Sequence, residues 1–204
     1  TAFFILKDDT ILLRWFTPEI EMDLCGHATL ATAYCLNSIL NYPDKSIKFE
    51  TKSGDISVDY KDGKYHMDFP SRVPVKSDLP KLISKSLNLK PSEIYKSRDF
   101  LLIYNSEKEI KKIKINTRYF NKINLDPGGV VVTAKGTSSD FVSRYFTPQS
   151  TILEDPATGS SHCSLIPFWS KRLNKTHLTS IQLSKRIGEF ECINHSKRVT
   201  VIGS

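Results

Sequence analysis

The strongest constraint on this chain is an internal echo. Arg14 to Ala31 reads RWFTPEIEMDLCGHATLA, and Arg144 to Cys163 reads RYFTPQSTILEDPATGSSHC. Both stretches begin Arg-aromatic-Phe-Thr-Pro, pass through a short acidic loop and reach a glycine among small residues that opens an apolar run. The separation is too long for a solenoid and predicts two similar halves within 204 residues.

The surrounding patterns repeat as well. AFFIL and TILLRWF read as a β-hairpin turning at Lys7-Asp8-Asp9, and GVVVTA with DFVSRYF reads as a second hairpin. GHATLATAYCLNSIL from Gly26 is helix-prone, and TGSSHCSLIPFWSKRL repeats that helix, with Pro167 expected to kink or shorten it. SIKFET, DISVDY and YHMDF read as strands turning at Ser53-Gly54 and Asp62-Gly63. SIQLSKR, GEFECIN and RVTVIGS form the corresponding closing strands. Between the repeats lie a short helix in LPKLISKSL, a buried strand in FLLIYN and an amphipathic stretch, EKEIKKIKINTRYFNKI, which is read as helix.

These patterns predict an α+β fold of two pseudo-symmetric lobes, each a curved, mostly antiparallel sheet around a very apolar central helix. Pro127-Gly128-Gly129 is the sharpest break in the chain. The lobes are accordingly placed at 1–122 and 123–204.

Composition narrows the function classes. Lys and Arg number 29 against 22 Asp and Glu, a net charge of +7, but the lysines are scattered and no basic block appears. That favours a solvated basic surface with some attraction for anionic substrates over a nucleic-acid site. No apolar run reaches the roughly 20 residues of a membrane span, and no secretory signal is visible. The cysteines at 25, 35, 163 and 192 form no CxxC pair, which argues against zinc and for a reducing, cytoplasmic setting.

The two glycines carry the chemistry. A helix's first turn has unpaired N–H groups and partial positive charge, so it binds carboxylate or phosphate. Two such starts, at Gly26-His27 and Gly159-Ser160, would face one another across a pseudo-twofold axis. Cys25, His27, Asp155 and Thr158 are expected at the rim of the cleft between them, with Ser160, Ser161 and His162.

DLCGHATLATAYCL and EDPATGSSHCSLIPFW resemble the characteristic segments of the PhzF-like phenazine biosynthesis family, which has the diaminopimelate-epimerase-like fold. RWFTP, VVVTAKG, RYFTP and QLSKRIGEF (Gln182 to Phe190, with Arg186 and Gly188 in place) support the likeness over nearly the whole chain. The resemblance implies an isomerase or epimerase that uses neither metal nor organic cofactor and moves a proton on a small amino- or hydroxy-carboxylic acid. It implies that Gly26 lies at the first helix start and that His27 contacts substrate and relays a proton. It also implies that Asp155 contacts the substrate's polar groups and that Gly159 and Ser160 hold the carboxylate. A homodimer is implied too.

One departure stands out. The family's principal acid/base is a glutamate that would stand one step before Thr1, preceded by an opening strand and helix. The chain opens in strand-like sequence without methionine, so natural sequence is expected ahead of Thr1. A non-catalytic carboxylate binder or an inactive fragment is the alternative. A two-thiol racemase would need a second cysteine where Thr158 stands. A Cys25/His27 hydrolase is disfavoured because residues this close in one turn are expected to align poorly.

Overall fold

The computed structural model describes residues 1–7, 10–18, 20–125, 128–148 and 150–203. Asp8 and Asp9 of the first expected turn and Pro127 of the expected break lie outside them.

The first half contains β1 (Ala2–Leu6), β2 (Ile11–Phe16), β3 (Glu21–Met22), α1 (Gly26–Ser38), β4 (Ser46–Thr51), β5 (Gly54–Lys61) and β6 (Lys64–Pro70). Next come β7 (Val75–Lys76), α2 (Lys81–Ser86), β8 (Glu93–Lys96), β9 (Phe100–Ile103), α3 (Glu107–Lys112) and α4 (Thr117–Phe120). The second repeat contains β10 (Val130–Lys135), β11 (Phe141–Phe146), β12 (Glu154–Asp155), a 3-10 turn (Gly159–Ser161), α5 (His162–Leu173), β13 (His177–Gln182), β14 (Gly188–Asn194) and β15 (Arg198–Gly203). The α+β class expected from the sequence is the one observed.

Strand pairing shows the repeat residue by residue. β1 pairs antiparallel with β2, and β2 pairs parallel with β4 across the helix, Ile11 opposite Phe49. β10, β11 and β13 do the same, Phe141 opposite Ser180. Antiparallel meanders follow, in which Val58 faces Met67 in one half and Cys192 faces Val201 in the other. Met67 and Val201 are thus equivalent positions, and they lie opposite each other where β6 pairs antiparallel with β15. A pseudo-twofold axis passes between them and joins both halves into one sheet.

The boundary expected after residue 122 falls between two neighbouring strands of this sheet. It would separate β9 from β10, which pair in parallel from Phe100 opposite Val130 to Ile103 opposite Thr133. The Gly-rich break marks a loop between neighbouring strands, and a turn signal alone cannot show whether the flanking strands share a sheet. Residues 75–122 therefore go with the second half. There Ile83, Ile110, Phe120 and Ile123 build a core with Val130, Val132, Val142 and Phe146. The long amphipathic stretch is two short helices, because Ser106 and Asn116 each cap a new start and Ile115 bridges to Leu87 between them.

The two central helices differ. α5 is buried from His162 to Ser170. Pro167 does not break it. A proline there cannot donate to the carbonyl four residues back, and the carbonyl of Cys163 instead accepts the backbone N–H of Arg72 at 2.8 Å. α1 buries one stripe, Thr29, Thr32, Ala33 and Leu36, and exposes His27 and Tyr34. α5 is thus the more deeply buried of the two central helices.

Candidate active site

Each arm of the repeat is folded by the same device. Arg14 donates from Nε and Nη2 to the Glu21 carboxylate at 2.7 and 2.8 Å, with its guanidinium 5.0 Å from the Phe16 ring centroid. Arg144 donates to Glu154 at the same two distances and lies 4.9 Å from Phe146. The fork fixes β3 against β2 and β12 against β11, which aims the following loop at the helix start. This is the physical content of Arg-x-Phe-Thr-Pro.

The helix starts do face each other, and they touch. A Cβ built on Gly26 would lie 2.7 Å from the Gly159 Cα, and one built on Gly159 would lie 3.0 Å from the Gly26 Cα. Backbone fills that space, so any side chain at Gly26 would force the halves apart. Neither N-cap residue, Cys25 or Thr158, caps its helix with its side chain.

The second arm is held by Gln182. Its Oε1 accepts the Thr158 N–H at 2.8 Å, and its Nε2 donates to the Asp155 carbonyl at 2.6 Å and to Thr158 Oγ1 at 3.1 Å. Ser184 Oγ donates to the Pro156 carbonyl at 2.7 Å. The closing segment QLSKRIGEF thus fastens the loop that carries Asp155. The resemblance flagged that segment, but its bracing role is visible only in the hydrogen bonds.

His27 is exposed at the mouth of the site, with Nε2 3.5 Å from Cys25 Sγ. Nδ1 lies 3.9 Å from the same sulfur, so the two side chains are in reach of each other without either nitrogen being singled out. Hydrogen bonding to the Cys25 sulfur raises the His27 pKa to about 9 against a smaller opposing effect of burial, and the Asp155 charge and the Ala157 backbone raise it further. His27, of the first arm, therefore lies within reach of the second arm's loop.

Four of the seven expected rim residues are buried: Thr158, Ser160, Ser161 and His162. His162 is a satisfied core histidine. Its Nδ1 lies 2.9 Å from the Thr158 carbonyl and its Nε2 lies 2.8 Å from Ser180 Oγ, between the rings of Phe141 and Phe190. Burial pulls its pKa down to about 4. Gly26, His27, Asp155, Gly159 and Ser160 come together around the helix-start contact. Among the described residues, no three His, Cys, Asp or Glu side chains gather as metal ligands, and no helix is long and apolar enough to cross a membrane.

Comparison with known proteins bears on the chain as a whole. An uncharacterized isomerase of Pseudomonas aeruginosa is 39% identical over 204 residues, spanning 100% of this chain and 77% of that protein. The crystal structure of a PhzF-family phenazine biosynthesis protein from Enterococcus faecalis superposes with a TM-score of 0.89 at 40% identity, over 100% of this chain and 78% of that one. A hydroxyproline epimerase from Agrobacterium vitis, solved with trans-4-hydroxy-L-proline, shares the fold at a TM-score of 0.56 and 10% identity, over 98% and 69%. The phenazine biosynthesis-like family profile matches residues 1–204. The chain belongs to the phenazine biosynthesis-like (PhzC-PhzF) family of isomerase- and epimerase-like proteins.

Proposed function

We propose that the chain is a cofactor-independent isomerase or epimerase that moves a proton on a small amino- or hydroxy-carboxylic acid. The observation that carries this reading is the contact between Gly26 and Gly159. Two helix N-termini, each partially positive, repel one another where they abut. A carboxylate lying across both would relieve that repulsion and accept amide hydrogen bonds from both sides. The same donors would stabilise negative charge that spreads onto the carboxylate when the adjacent carbon loses its proton. His27 is protonated at neutral pH and is the proton donor within reach of the mouth. Asp155 takes the substrate's amino or hydroxyl group on the opposite side.

The test is proton exchange from D₂O into a panel of amino- and hydroxy-acids, with any natural sequence that precedes Thr1 in place. Deuterium at the α- or vinylogous position of one class supports the reading. Binding without exchange by any acid replaces it with a carboxylate carrier. Sedimentation of the same protein tests the accompanying proposal of a homodimer.

A thiol reading keeps one observation in its favour, the 3.5 Å approach of Cys25 to His27. A symmetric two-thiol mechanism lacks its second group, since Thr158 holds that place and is buried.

A further inference from the structure

We infer that Asp23 is a positioning residue, the hub of a cross-brace that holds the two walls of the proposed site in register. It sits three residues before Gly26 and is outside the group of residues at the helix-start contact. Arg98 donates to it from two nitrogens, Nε at 2.9 Å to Oδ2 and Nη2 at 2.5 Å to Oδ1. Arg72 Nη2 adds a third contact at 3.1 Å. Ser53 Oγ donates to the Asp23 carbonyl at 2.8 Å and accepts from Arg72 Nη2 at 3.0 Å.

Both arginines reach the other wall within one residue. The backbone N–H of Arg72 occupies the Cys163 carbonyl that Pro167 leaves open on α5. Ser97, next to Arg98, bonds Ser164 on the same helix turn at 2.7 Å. Arg98 Nη1 also donates to Asp99 Oδ1 at 3.1 Å, and that oxygen accepts from Tyr145 Oη at 3.0 Å and from the Gly129 N–H at 2.8 Å. Tyr145 is the strand partner of Asp155. One carboxylate therefore ties the loop before Gly26 to the start of α5 and to the strand beside Asp155. Arg98 is 6% exposed and Asp99 2%, so these links are poorly screened and their geometry is stiff.

The inference rests on the proposed site, and its test separates the two. The variants are Asp23→Asn and the milder Ser53→Ala, and the reporter is the His27 imidazole titration followed by NMR in the folded protein. The hydrogen bond from Cys25 on the same arm is the main cause of the raised midpoint, and Asp155 and Ala157 add a smaller part from the opposite wall, so loss of register should remove that smaller part and lower the midpoint from about 9, further in Asp23→Asn than in Ser53→Ala. Deuterium exchange should fall in parallel, by about a hundredfold in kcat/KM for Asp23→Asn. A brace that served only stability would leave the folded-state midpoint unmoved, and an unchanged midpoint in both variants overturns the inference. If Asp23→Asn does not fold, Ser53→Ala decides by the same criterion. A shifted midpoint in a protein whose wild type shows no exchange keeps the brace and discards the proposed function.

Discussion

The two hairpins that open the repeats have the same register and opposite surroundings. On β10 and β11, the outward residues Val132, Ala134, Val142 and Phe146 are buried in one core with Ile83, Ile110, Phe120 and Ile123 from the segment that carries α2, α3 and α4. Arg144 there also donates to the carbonyls of Ile110 and Ile113. The equivalent residues on β1 and β2 are Phe3, Ile5, Leu12 and Phe16. Phe3 is 59% and Ile5 61% exposed, and a depression of about 320 Å³ lies over them. Trp15 Nε1 is buried without a partner, whereas the equivalent Tyr145 hydroxyl reaches Asp99. The repeat thus supplies the scaffold, and the two copies differ in what packs against it in this chain. The chemistry of the walls diverges in the same way, with Met22 opposite Asp155 in the repeat, Cys25 opposite Thr158 and His27 opposite Ser160.

The sharpest challenge to that asymmetry is at the walls. Asp155→Asn should lower exchange by roughly 10²- to 10⁴-fold, and Met22→Asn by far less, as read by kcat/KM for D₂O exchange. Equal losses would mean that both walls handle the substrate's polar groups.

Acid should act on the second half. His162 has a folded-state pKa lowered to about 4, so its contribution is complete above about 6.5 and is lost as pH falls toward 4. The loss is on the order of 3 kcal/mol. Its counterpart Thr29 makes the same bond to the carbonyl four residues back, from Oγ1 to Cys25, and cannot titrate. His27 has the opposite sign. Its raised pKa gives a contribution present below about 6.5 and lost as pH rises through about 9. Hydrogen exchange at pH 5 should therefore rise first around α5, and early opening around α1 would contradict this assignment.

Buried Val132 and exposed Phe3 give the next contrast. Val132→Ala should cost about 2 kcal/mol of unfolding free energy in urea, and Phe3→Ala under about 0.5. The smallest effect is expected at Cys25→Ser, which should keep exchange within about tenfold if the thiol only tunes His27. Complete loss would move the thiol reading to first place.

The repeat was legible in the sequence because its markers are backbone and charge devices: an arginine paired with a glutamate, a Thr-Pro that ends a strand, and a glycine where two backbones meet. The approach of Gly26 to Gly159 was legible for that reason. His162 was misplaced on the rim because sequence spacing does not report which side of a helix is buried. Asp23, Arg72 and Arg98 were missed because their pairing depends on how residues 72 and 98 return to the first arm, across 49 and 75 positions. The pairing of β9 with β10 was not legible either, because a strand's partner is chosen by tertiary packing rather than by its own pattern.

The join at β6 and β15 has a consequence for how such a chain can change. Met67 and Val201 face each other across the axis, so a molecule made of one repeat could pair with its twin through this same strand. The chain has the geometry of a dimer whose subunits have been fused. Once the copies are covalently linked, a substitution is no longer made twice. Each arm is free to take up its own side chains while the seam keeps them in register, and a fused chain can acquire an acid on one wall and a thiol on the other, which a symmetric pair of identical subunits cannot do.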